Sequence, residues 1–249
     1  VLEQVDTPTA GRHRGTFLHA LFERLVTQGR HLNDTIAADL LAYAEEMQAN
    51  LPGGDSVMQF WQARLSAIAD WFADYEYQRR DQLSTSVVEE VGQMTIKVGG
   101  QDFTITGKAD RIDRLQDGSY TIIDYKTGEA PSRKDVNTHF APQLTLEAAI
   151  VQAGGFADKG LPAGWVRELA YLQLTGRTPA GKITAIEANA ELVDGAVNMV
   201  HDLIASYQNQ DQPYSSHIRP RQQHFSSAYD HLARLAEWRT ALDQEASDE

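Results

Sequence analysis

The sequence predicts an α/β domain with a helical insertion ahead of its sheet. Three observations carry this. Residues 15–80 place apolar side chains at helical spacing. From Ser86 the apolar period changes to that of strands, punctuated by Gly99-Gly100 and by "QDGS" at 116–119. A helical pattern at 141–154 then separates the apolar run "YTIIDYK" from a strand pattern at 165–176.

Residues 1–14 read as an extended lead-in, and Gly15 opens a helix, "GTFLHALFERLV", with Leu18, Phe22 and Leu25 as its buried stripe. Helices at 33–51 and 56–80 follow, broken by Pro and a Gly pair in "NLPGGDS". The second carries a wide apolar face of Trp61, Leu65, Ile68, Trp71, Phe72 and Tyr75. "SVVEEVGQMTIKV" and "QDFTITGKADRIDRL" form a hairpin about the glycine pair. A helix is expected at 189–208, then a loop rich in Gln, Pro and Ser, then a last helix at about 227–243. No repeat or long linker interrupts 1–249, so one domain is expected: a helical part at about 12–82, a sheet core at about 85–176 and C-terminal helices at about 189–243.

Composition limits the function. The 35 acids against 22 bases give a formal charge of -13, which argues against coating nucleic acid by bulk charge. It leaves room for a local grip by a few bases and a metal. There are no cysteines, which excludes disulfides, thiolate zinc sites and cysteine-held iron–sulfur clusters. No apolar stretch reaches the roughly 18 to 20 residues of a membrane helix, and no signal segment opens the chain, so no membrane contact and a cytoplasmic location are expected. The start at Val1 suggests a piece of a longer protein. No Walker A motif is present, so any ATP-driven motor lies elsewhere.

The chemistry concentrates at 107–126. Asp124 and Lys126 are two residues apart on one strand and share a face. Positions 110 and 124 are symmetric about Asp117. A connecting loop with an odd number of residues places Asp110 directly across from Asp124, whereas a two-residue Asp-Gly turn places them on opposite faces. Facing carboxylates repel unless neutralised. A hard divalent cation, Mg²⁺ or Mn²⁺, is the simplest remedy for oxygen ligands. A lysine beside it can hold an attacking water or neutralise a crowded phosphate. Ile122 and Ile123 make the strand central, where unpartnered charge is expensive, and Gly107 and "TG" suggest close backbone approach.

"GTFLH", "GKADRID", "IIDYKTG" and "PQLTLEAA", in this order over residues 15–147, resemble the RecB-like PD-(D/E)xK nuclease superfamily. "AYDHLARLAEWR" is similar to the tail of the AddB family of bacterial helicase–nuclease subunits. The resemblance implies a restriction-endonuclease-like core, a central mixed sheet flanked by helices. It implies metal ligation by His19, Asp110, Asp124 and the backbone carbonyl of Tyr125. Asp110, Asp124, Lys126 and Gln143 would carry catalysis, with Lys126 the catalytic lysine and Gln143 ordering it or touching DNA. The activity implied is exonucleolytic hydrolysis of single-stranded DNA in double-strand-break repair and recombination, beside an AddA-like partner subunit. Rival readings are a catalytically silent nuclease-fold scaffold and a stand-alone Cas4-like exonuclease.

Where relatives carry four cluster-binding cysteines this chain has none, and "PYSSHIRPRQQHFSSAYDHL" shows serines, so a cluster-free variant is expected. Glu147 stands where family members often have Tyr, and its role stays open. Glu89 and Glu90 read as solvated strand charges, or one of them as a carboxylate behind the ligands. Lys108, Arg111, Arg133 and Lys134, with Arg114 and the later Arg219 and Arg221, are candidates for tracking a phosphate backbone.

Overall fold

The computed structural model of the chain describes residues 8–49 and 55–213, with side chains from 14 to 47 and from 64 onward. The expected helix at 227–243, the AddB-like tail, Arg219, Arg221 and the Trp61 side chain lie outside the described residues. The chain divides into two units, Val1–Ala205 and Ser206–Glu249, and the first contains the entire sheet.

Three helices come first: α1 (Pro8–Thr27), α2 (Ile36–Ala49) and α3 (Asp55–Arg79). The strands follow as β1 (Leu83–Val98), β2 (Gln101–Leu115) and β3 (Tyr120–Lys126). Then come α4 (Arg133–Asn137), α5 (Gln143–Gln152), β4 (Val166–Leu174), β5 (Gly181–Glu187) and α6 (Ala190–Gln208). The sheet runs β1-β2-β3-β4-β5 and is mixed: β3 and β4 are parallel, the other neighbours antiparallel. The parallel pair requires a crossover, which α5 supplies.

β3 is central, and six of its seven residues are buried. Side-chain alternation divides it between two cores. Ile123 and Tyr125 join Leu18, Phe22 and Phe72 beneath α1–α3, while Tyr120 and Ile122 join Leu144, Ile150 and Leu192 beneath α5 and α6. The helical insertion is therefore the cover for one face of the sheet.

Three elements depart from expectation. α1 starts at Pro8 rather than Gly15, because a proline in the first turn lacks only an N–H that would be unpaired anyway. α4 is a single turn begun by a capping box, in which Ser132 accepts from the Asp135 N–H and Asp135 from the Ser132 N–H. β5 is a short edge strand with exposed Lys182 and half-exposed Thr184, too polar to stand out as a strand.

Arg111, expected at a DNA surface, is instead fully buried. It sits on the α3 side of β2, the opposite parity from Asp110. Its guanidinium grips Glu76 of α3 through two bonds of 2.7 and 3.1 Å, and Nε donates to Asp113 at 2.7 Å. Arg79 closes the cluster on Asp113 at 2.5 Å. This network ties α3 to β2 and leaves Arg111 nothing to offer a phosphate.

Two stability predictions follow from this interior. Arg111→Met leaves Glu76 and Asp113 with Arg79 as their remaining cation and removes three bonds, so urea unfolding should show a loss of about 3–5 kcal/mol. A loss below about 1 kcal/mol would contradict the account. His31, buried near this cluster, has its pKa lowered to about 4 by burial, reinforced by the Arg111 charge. The fold holds it neutral, whereas the unfolded chain takes up its proton near pH 6.5. Unfolding free energy should therefore fall as pH drops from about 6.5 to about 4, and His31→Phe should flatten that window.

Candidate functional site

Two turns set the geometry. Gly99 and Gly100 both have positive φ (57 and 81°) and make a two-residue turn that pairs Val98 with Gln101. The same register pairs Val88 with Arg111 and Glu90 with Ala109, which puts Glu89 opposite Asp110. The second turn has three residues, 116–118: Leu115 N–H donates to Ser119 O at 2.8 Å, and Gly118 takes φ 84°. It is odd, as the facing arrangement requires. Arg111 then pairs with Ile123, and the same register carried one step further sets Asp110 toward Asp124, whose carboxyl feels the Asp110 charge. Glu89, Asp110 and Asp124 thus form one row across three strands.

The β2–β3 ladder ends at Arg111–Ile123. Beyond it the Asp110 carboxylate takes the place of a strand partner, accepting the Tyr125 N–H at 3.0 Å. Glu89 adopts a left-handed backbone (φ 56°), uncommon outside glycine and a form of strain that gathers at functional sites.

α1 brings His19 to this row. Gly15, one turn earlier, lies beside Thr127: a Cβ there would sit in ordinary contact with the Thr127 hydroxyl, at 3.7 Å. His19 Nδ1 lies 3.4 Å from Glu89 and 3.5 Å from Asp110, and Nε2 is 3.0 Å from the Tyr125 carbonyl oxygen. With oxygens at both nitrogens the ring favours its charged form. The Asp110 carboxylate beside it is the main cause of a pKa raised to about 9. Lys108 pairs with Glu89 at 2.5 Å. Lys126 Nζ lies 2.8 and 2.7 Å from the two oxygens of Asp124. Burial, then the Asp110 charge, raises the Asp124 pKa, while Lys126 opposes them. Three acids are therefore met by three cations.

On the face that Asp124 shares with Ile122, Gln143 at the start of α5 donates to Asp124 Oδ1 at 2.9 Å and to Glu147 at 3.2 Å. Glu147 is nearly inaccessible, and burial pushes its carboxyl up to about 8.

His19, Glu89 and Asp110 each offer one ligand atom, all within 4.8 Å of one another. One imidazole nitrogen and two carboxylate oxygens suit a divalent ion such as Mn²⁺ or Mg²⁺. Asp124 is engaged instead by Lys126 and Gln143, and the Tyr125 carbonyl by His19. His19, Asp110, Asp124, Tyr125, Lys126 and Gln143 thus converge on one locality, to which the structure adds Glu89. The signal for Glu89 lay in the two-residue glycine turn, whose register fixes residue 89 against 110. Its neighbour Glu90 pairs with Lys159 at 3.3 Å, away from the row.

Of the remaining basic candidates, Lys108 is exposed beside Glu89. Arg133 and Lys134 are exposed on α4, where Arg133 lines a separate cleft of about 470 Å³ with His139 and Glu187. Arg114 is half-buried opposite Tyr120, at the far end of the β2–β3 pairing.

A family model for the PD-(D/E)XK nuclease superfamily matches residues 2–244. An uncharacterized protein of Rickettsia bellii (strain RML369-C) is 27% identical over 146 residues, covering 54% of this chain and 17% of that protein. One of Rickettsia felis (strain ATCC VR-1525 / URRWXCal2) is 34% identical over 99 residues, covering 40% and 12%. The chain thus matches less than a fifth of the length of these curated relatives. Among solved structures, SSO0001 is similar at TM-score 0.36 and 14% identity, with 81% of this chain and 91% of that chain covered. A Eubacterium rectale protein provisionally named an exonuclease is similar at TM-score 0.39 and 11% identity, with 85% and 79% covered.

If His19, Glu89 and Asp110 act as one donor set, Mn²⁺ titration calorimetry should show affinity falling by at least about tenfold in His19→Ala and in Glu89→Ala, the scale set even by a metal's outer partners. Unchanged affinity in both variants would remove the trio from any metal site.

Proposed function

The chain belongs to the PD-(D/E)XK nuclease superfamily, and we propose that it is a divalent-metal-dependent deoxyribonuclease domain that hydrolyses single-stranded DNA. The observation that carries this reading is the row Glu89–Asp110–Asp124, closed by His19 at one end and Lys126 at the other. A row of facing carboxylates is costly in a fold and useful to a metal.

In this reading His19, Glu89 and Asp110 hold Mg²⁺ or Mn²⁺, joined by Asp124 from the facing strand and by the Tyr125 carbonyl. A bound ion supplies Lewis-acid polarisation of the phosphodiester and lowers the pKa of a water nucleophile. Lys126 rests on Asp124 and is the half-exposed cation of the pair. Its ammonium is placed to orient the attacking water or to meet charge developing on the phosphate oxygens. Gln143 holds the Asp124 carboxylate from α5. Lys108, Arg133 and Lys134 serve as contacts to the DNA backbone, a local grip suited to an otherwise acidic chain.

We assign the wider setting by resemblance. The ordered motifs at 15–147 and the AddB-like tail support a domain of a helicase–nuclease complex that trims unwound strands in double-strand-break repair and recombination. An AddA-like subunit would be its partner. The short share of the Rickettsia proteins that the chain matches suits a domain within longer proteins. Among the described residues no helix is long and apolar enough to cross a membrane.

The test is cleavage of end-labelled single-stranded DNA in Mg²⁺, Mn²⁺ or EDTA. Cutting should require the metal and fall by about 10²-fold or more in Asp124→Ala and Lys126→Ala. DNA binding without metal-dependent cutting would favour the scaffold reading. Undiminished cutting in both variants would refute the assigned site.

A further inference from the structure

We infer that Glu147 is a positioning residue: it fixes the Gln143 carboxamide so that a single NH₂ group bridges two carboxyls and holds Asp124 in place beside Lys126. The inference rests on the nuclease reading above.

Gln143 and Glu147 lie one turn apart on α5 and share a face. The Gln143 nitrogen has two hydrogens, and both are used, at 2.9 Å to Asp124 Oδ1 and at 3.2 Å to Glu147 Oε1. Acceptors on two sides define the plane of the amide. With only Asp124 as anchor, the terminal torsion of a glutamine is soft and the group can swing. Asp124 Oδ1 also receives Lys126, so movement of the amide changes how the carboxylate is shared between the two.

The surroundings would ordinarily call for an apolar residue. α5 crosses β2 closely at Gly107, where a Cβ would meet Ile150 Cδ1 at 3.1 Å and Glu147 Cγ at 3.4 Å. Glu147 is 3% exposed. Its Oε2 has no hydrogen-bond partner among the described residues, nor has the hydroxyl of Tyr171, which pairs with Asp124 across β3 and β4. A leucine there would need no partner at all. Buried polar groups left incompletely satisfied are expected where function overrides packing. The raised pKa fits this role, since an uncharged carboxyl can accept from Gln143 without setting a second buried charge against Asp124.

The experiment compares Glu147→Leu, Glu147→Gln, Gln143→Leu and the Glu147→Leu/Gln143→Leu double variant in the intact chain. It reads Tm, Mn²⁺ affinity by calorimetry, and kcat and KM on single-stranded DNA. Glu147→Leu should keep or raise Tm yet lower kcat and Mn²⁺ affinity by about tenfold, the lower end of what loss of a metal site's outer partners causes. Glu147→Gln retains an acceptor and should restore most of both, with a loss well below that of Glu147→Leu. In the double variant Glu147→Leu should add nothing, because its effect passes through Gln143. A purely structural role predicts the reverse: altered Tm with kcat and Mn²⁺ affinity unmoved. That outcome, or equal damage from Leu and Gln, overturns the inference. If Glu147→Leu fails to fold, the Gln variant beside Gln143→Leu still decides it. Failure of the wild type to cut would count against the nuclease reading alone, since Mn²⁺ affinity still reports on Glu147.

Discussion

Charge repulsion across three adjacent strands governs this structure. Glu89, Asp110 and Asp124 occupy one row of the sheet, and such a row folds only when cations meet it. His19 from α1, Lys108 from β2 and Lys126 from β3 do so. The helical insertion thus has a second purpose beyond covering a sheet face. It delivers the His19 imidazole to Glu89 and Asp110.

A second consequence concerns β2, which carries "DRID" across its two faces. Asp110 serves the row, while Arg111 and Asp113, one residue out of phase with it, lock onto Glu76 and Arg79 of α3. The strand that positions the site is therefore anchored from behind by buried ion pairs. Removing such an anchor's cation is far more damaging than its net contribution suggests, because the remaining charges stay buried. The placing of Asp110 and the stability of the α3 interface come from the same four residues of sequence, 110–113.

Much of this was legible in the sequence. The period change at Ser86 and the glycine turn were enough for the first hairpin; the symmetry of 110 and 124 about Asp117 made facing acids conditional on an odd loop, which the turn at 116–118 supplies. The row's third member was within reach by the same arithmetic, but Glu89 and Glu90 are adjacent and only the register separates them. Arg111 misled for a physical reason: R-x-D and D-x-K both place opposite charges on one face of a strand. Whether that face meets solvent or a helix depends on Glu76, 35 residues earlier, and no local pattern reveals it. β5 and α4 were missed because edge strands and single turns carry too few apolar residues to show a period. Glu147 was conspicuous as a departure from the resembled pattern, but its contact with Gln143 became meaningful only with Asp124 on the amide's other side.

The central claim is that side chains from α1, β1, β2 and β3 form one cation site. Anomalous scattering from crystals soaked in Mn²⁺ tests it most directly. The account predicts a single strong peak among His19, Glu89 and Asp110, with Asp124 and the Tyr125 carbonyl adjoining. A fully occupied peak elsewhere, with His19 still bonded to Tyr125 and no density in the row, would contradict it.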